Sequence, residues 1–196
     1  MMKKIICLFV VIISVISIPL SVNAATGKEG YAIFRDGVFF NMTWHAGMMD
    51  EPSSSDYKPV LHHSGSGVVK WDHWSNFLDG NTFKGYYKPK SGISSAYRDS
   101  VKAMGRRLRT ENISYNVAYQ VQYPSSRYGK WVFPADISSI RCDGVVEYVY
   151  EYYAFRIYGS NSRWDVTWGD FWNKDDHSGF AVTPKSQAQS NMTKLP

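Results

Sequence analysis

Cysteine is nearly absent. The chain of 196 residues holds two, and the first, Cys7, lies in an apolar N-terminal run. Without that run Cys142 stands alone, which excludes a disulfide-stapled scaffold of the kind common among exported domains. A solitary thiol is an inert core residue, an intermolecular link or a reactive group. Metal-ligand spacings are missing as well. No C-x-x-C, H-x-x-x-H or H-E-x-x-H occurs, so zinc, the rival use of a Cys, two His and an Asp, is not expected, and no cofactor is. No run of Lys or Arg forms a stripe. The densest cluster, Gly105 to Arg109, falls on an expected helix and reads as a solvated basic face, so nucleic acid is not an expected partner. Repeats, low-complexity tracts and dividing linkers are absent too, which leaves one domain.

What is present begins with Lys3 and Lys4, then Ile5 to Leu20, apolar except for Ser14, Ser17 and Pro19, then Val22-Asn23-Ala24. This is the pattern of a secretory signal peptide over residues 1–24. Pro19 and the small-residue site weigh against an uncleaved anchor. The reading implies a secreted or cell-envelope protein, with no stable membrane insertion after cleavage. Residues 25–196, about 172 in all, suffice for one monomeric domain with its own core. Losing Lys3 and Lys4 lowers the formal net charge from +5 to +3, too mild for electrostatic capture of a polyanion. Fourteen Tyr and seven Trp suit a sugar or peptide binder as well as a β-rich core.

Tyr31 to Phe34 and Val38 to Trp44 read as strands turned at Arg35-Asp36-Gly37, and Pro59 to His63 as the next strand. Asp72 reads as the cap of a short helix over His73 to Leu78, stopped by Asp79-Gly80-Asn81. Ser94 or Ser95 caps a longer helix with Tyr97, Val101, Met104 and Leu108 on one face. Ile113 to Tyr123 alternates like a strand. From Cys142 the apolar spacing predicts a buried helix reaching Gly159. Thr183-Pro184 opens a last helix. Strands and helices are segregated, the mark of an α+β fold.

Cys142 thus begins a helix, where unpaired backbone amides favour a thiolate and can hold an oxyanion. On this ground its pKa is expected below the usual value of about 8.5. Gly144, two residues on, permits close approach. A thiolate nucleophile needs a base, and a base needs a group that holds its ring. His45, in Thr43-Trp44-His45-Ala46-Gly47, has a fixed direction on a strand. His62 and His63 point to opposite faces of the next strand, so only one can meet it. His73 reads as a surface residue at a helix start and His177 as a loop residue.

Arg141-Cys142-Asp143-Gly144-Val145-Val146 resembles the start of the catalytic helix in NlpC-type cysteine peptidases and their papain-like relatives. Trp44 to Asp50 with Pro59 to His63 resembles that family's His strand and the strand beside it. His before Cys is the order of the circularly permuted branch, which holds lecithin–retinol-acyltransferase-like proteins and YiiX-like amidases. The resemblance covers Tyr31 to Gly159 in pieces. It departs from the family at Asp143, where a small residue is usual, and at His63. It implies a permuted papain-like α+β fold, an antiparallel sheet packed against helices. It also implies Cys142 as nucleophile, His45 as base and His62 as third residue, with His63 kept open. The implied activity is amide hydrolysis through a thioacyl intermediate, on a peptide or acyl substrate. The expected location makes peptidoglycan the first choice, with a lipid or N-acyl group second. A non-catalytic peptide- or carbohydrate-binding module is the rival from another class.

Overall fold

β1 (Ala32–Val38), which opens with the buried run Ala32-Ile33-Phe34, and β2 (Thr43–Met49), buried from Trp44 on, lie side by side at the centre of a six-stranded sheet, covered on both faces. The computed structural model describes residues 27–38, 43–51, 58–127, 130–158 and 182–196. The signal-peptide reading, Cys7 and His177 lie outside these. Beyond β2 come β3 (Val60–His62) and β4 (Lys70–Asp72). On the other side of β1 come β5 (Phe83–Pro89) and β9 (Met192–Lys194). Every neighbouring pair is antiparallel.

The turn expected at Asp36-Gly37 is instead a bulge inside β1. The β1–β2 register shifts between Arg35 and Val38, and Val38 still pairs with Thr43. Gly37 takes φ 88°, and the Asn81 amide fills the space a Cβ would need. Asp36 fixes the bulge by accepting the Thr82 amide at 2.8 Å and Lys84 Nζ at 2.5 Å.

Two helices pack on the sheet face that carries Ala32, Phe34, Ala46, Met48 and Leu61. One is α2 (Ser95–Thr110), which Ser94 caps by accepting the Tyr97 amide at 3.3 Å. Val101, Met104 and Leu108 are buried, whereas Tyr97, expected on the same face, stays 47% exposed. The other is α3 (Cys142–Glu151), in which every residue is buried. It ends well before Gly159, because Ala154 turns to φ 66° and Phe155 N–H returns to the Tyr150 carbonyl at 3.1 Å. Short α1 (Trp74–Leu78) sits on the opposite sheet face, where Phe77 packs on Ile33, Met49 and Val60. Its N-cap is His73, not Asp72. Asp72 belongs to β4, although its Oδ1 still accepts the His73 amide.

The expected strand over Ile113 to Tyr123 is broken. Only β6 (Ser114–Tyr115) and β7 (Val121–Gln122) pair, both with β8 (Ser139–Ile140), in a second small sheet. Asn116 Oδ1 takes the Ala118 and Tyr119 amides at 2.8 and 3.1 Å, and that local bonding bends the chain between them.

A row of carboxylates, Asp143, Glu147 and Glu151, runs along one face of α3 at helical spacing. Gln120 and Gln187 both donate to Glu147, and Glu151 accepts the Ile157 and Tyr158 amides. Burial, with a neighbouring carboxylate, raises Glu147 well above the usual carboxylate range, and burial pushes Glu151 up to about 8. Gln187 belongs to the final segment, where Thr183 caps α4 (Pro184–Ser186) and Gln187–Asn191 leads into β9. The row thereby ties the chain's end to α3. Among the described residues no helix is long and apolar enough to cross a membrane. The molecule is α+β, an antiparallel sheet packed against a few helices.

Candidate active site

Cys142 is the first residue of α3, and Arg141 before it takes the extended N-cap conformation with ψ 166°. α3 packs on β2. β3 pairs with β2 only through Met48 and Met49, which leaves the Ala46 amide to donate to the Cys142 sulfur, as does the amide of Asp143. The end of the helix therefore docks where the sheet opens, one residue from His45 along the chain.

His45 and His62 project from the sheet face that α1 covers, and both rings pack on Phe77 at centroid distances of 5.4 and 5.5 Å. His45 Nε2 lies 2.7 Å from His62 Nδ1. His62 is thus the ring that meets His45. His63 points the other way, against the Tyr115 ring at 4.9 Å and the backbone of Ile113 and Ser114. Period-two alternation on β3 separates the two rings. His62 Nε2 in turn lies 3.5 Å from Asp72 Oδ2 on β4.

Cys142 and His45 open on one pocket of about 390 Å³, walled by Val38, Trp44, Tyr115, Val117 and Pro184. Its walls are mostly apolar. Thr43, Thr183 and Arg141 complete it. Arg141 is a clamp. It binds both Asp143 oxygens, at 2.6 and 2.8 Å, and donates to the Val117 and Val182 carbonyls. One guanidinium thus holds the loop after β6, the start of α3 and the final segment together.

The electrostatics correct one expectation. Cys142 is not an acidic thiol. Burial and the adjacent Asp143 carboxylate push it up to about 12, against the smaller opposing pulls of the Ala46 amide and Arg141. Burial, then the neighbouring His62 and Arg35, holds His45 well below the usual imidazole value. His62 falls to about 4, chiefly by burial. The resting pair is a neutral thiol and a neutral imidazole. Any proton transfer between them must accompany attack on a substrate rather than precede it.

Asp72 was legible only as a helix cap. Tyr115, Val117, Thr183 and Pro184 carried no sequence signal as pocket walls, because their elements meet only in the folded chain. Among the described residues no three His, Cys, Asp or Glu side chains gather as a metal site. No protein-family model, curated protein or solved structure matches this chain.

The geometry separates the two adjacent histidines. His62→Ala should slow any Cys142-dependent turnover by about 10- to 1,000-fold, because His45 then loses the ring that holds it. His63→Ala should change it little. Measuring kcat/KM of both variants side by side is the check, and damage confined to His63→Ala would mean that His63 supports the base.

Proposed function

We propose that this chain is a secreted or cell-envelope cysteine hydrolase of the permuted papain-like kind, acting on an amide or ester carbonyl. The observation that carries the reading is a cysteine at a buried helix start sharing one pocket with a histidine that a second histidine holds at 2.7 Å. The Cys142 sulfur attacks the carbonyl carbon while its proton passes to His45. A C–S bond forms, and the leaving amine or alcohol departs with that proton. Water then cleaves the thioester and releases the acid. The amides at the start of α3 are suited to hold the oxyanion.

Peptidoglycan peptide fits the expected location. A second reading, an apolar acyl group, is favoured by the walls Val38, Trp44, Tyr115, Val117 and Pro184. The test is to incubate the protein with peptidoglycan fragments and with nitrophenyl esters of short and long acyl chains. Products are weighed, and the acid-quenched protein is examined by intact mass. An added acyl mass mapping to Cys142, with released product, is the expected result, and the substrate that forms it names the class. Binding of either ligand with no product and no adduct would instead make the chain a non-catalytic module.

A further inference from the structure

We infer that Asp72 is a positioning residue that sets the tautomers of both His62 and His45, and so leaves a lone pair on His45 Nδ1. The argument starts at the far end of the chain of contacts. Asp72 Oδ1 accepts the His73 amide at 3.0 Å and Asn76 Nδ2 at 2.7 Å. Oδ2 faces Lys70 Nζ at 3.1 Å and His62 Nε2 at 3.5 Å. The last distance is long for a full hydrogen bond, but His62 Nε2 is buried and has no other hydrogen-bond partner. Facing a carboxylate in a poorly solvated site, that nitrogen presents N–H rather than a second lone pair.

A proton on His62 Nε2 decides the rest. A neutral imidazole carries one N–H, so His62 Nδ1 is an acceptor. The 2.7 Å contact then requires His45 Nε2 to be the donor. By the same rule His45 Nδ1, the nitrogen that His62 does not hold, is unprotonated and basic. The charges agree with this. Burial opposes ionisation of Asp72, yet the bonds from Asn76, Lys70 and His73 hold its carboxyl at about 2, while His62 sits near 4. At neutral pH a carboxylate faces a neutral ring.

Asp72→Asn should reverse the whole relay. The His73 amide is a fixed donor, so the asparagine oxygen must take the Oδ1 place. Its NH2 then faces His62 Nε2, and Lys70, half exposed, turns to solvent. An NH2 there makes Nε2 an acceptor and moves the His62 proton to Nδ1. His45 Nε2 becomes the acceptor, and its proton moves to Nδ1, where the base should be.

Nitrogen-15 NMR of the histidine rings at neutral pH reads this directly. The wild type should show His45 and His62 both protonated on Nε2, and Asp72→Asn should show both on Nδ1. A wild-type His62 protonated on Nδ1 overturns the inference without any variant. So does an Asp72→Asn protein that is folded and keeps Nε2–H on both rings. Only the kinetic consequence rests on the hydrolase reading: turnover should fall about 10²- to 10⁴-fold in Asp72→Asn. A wild type with the stated tautomers and no hydrolysis would refute the hydrolase and leave the relay standing.

Discussion

Replacing Cys142 with serine should abolish acyl hydrolysis, a loss of about 10⁴-fold or more, and leave the fold intact. Serine is nearly isosteric with cysteine, and its oxygen can accept the same Ala46 amide that now meets the sulfur. The chemistry does not survive the exchange. A hydroxyl is far less acidic than a thiol, and His45 is already a weakened base because burial holds its pKa well below the usual value. Such a base can follow a thiol proton as attack proceeds but has little power over an alkoxide-forming step. Initial rates on the substrate that acylates the wild type, with a thermal melt of both proteins, are the measurement. Undiminished turnover by a well-folded Cys142→Ser would remove Cys142 from the reaction.

The second large effect is on stability. Gly144→Ala should cost about 3 kcal/mol or more, even though alanine is the better helix former by about 1 kcal/mol. A Cβ at Gly144 would land on the Gln120 carbonyl oxygen and crowd the Ile140 side chain. That oxygen cannot retreat cheaply. It accepts the Arg141 amide at 2.9 Å, and the Gln120 side chain is itself bonded to Asp143 and Glu147. The start of α3 would have to lift off the small sheet and carry Cys142 with it, so activity should fall along with stability. Urea denaturation of both proteins decides the matter. A variant as stable as the wild type would mean that helix propensity outweighs the contact and that Gly144 is not tightly packed.

Much of the site was legible because it rests on short-range rules. A helix start at Cys142, the opposite directions of His62 and His63, and the caps at Ser94 and Thr183 all follow from neighbouring residues. What misled was local chemistry put to non-local use. Asp36-Gly37 has the composition of a hairpin turn, but Thr82 and Lys84 hold it as a bulge. The alternation of Ile113 to Tyr123 suggests a strand, and Asn116 bends it with its own side chain. β4 is three residues long, too short to show a period, so Asp72 looked like a cap and its place beside His62 was hidden. The thiol's acidity was misjudged for a similar reason. The helix terminus is visible in sequence, whereas the depth at which it is buried is not.

The pocket's walls come from segments far apart in the sequence. Val38 and His45 are among the earliest described residues, while Thr183 and Pro184 are among the last, and β9 closes the sheet edge after them. This arrangement sets an order in time. A chain emerging from the ribosome makes Cys142 some forty residues before the wall that completes its pocket, so the thiol can have no formed site until Thr183 and Pro184 follow. Whatever this cysteine does waits on a segment made after it.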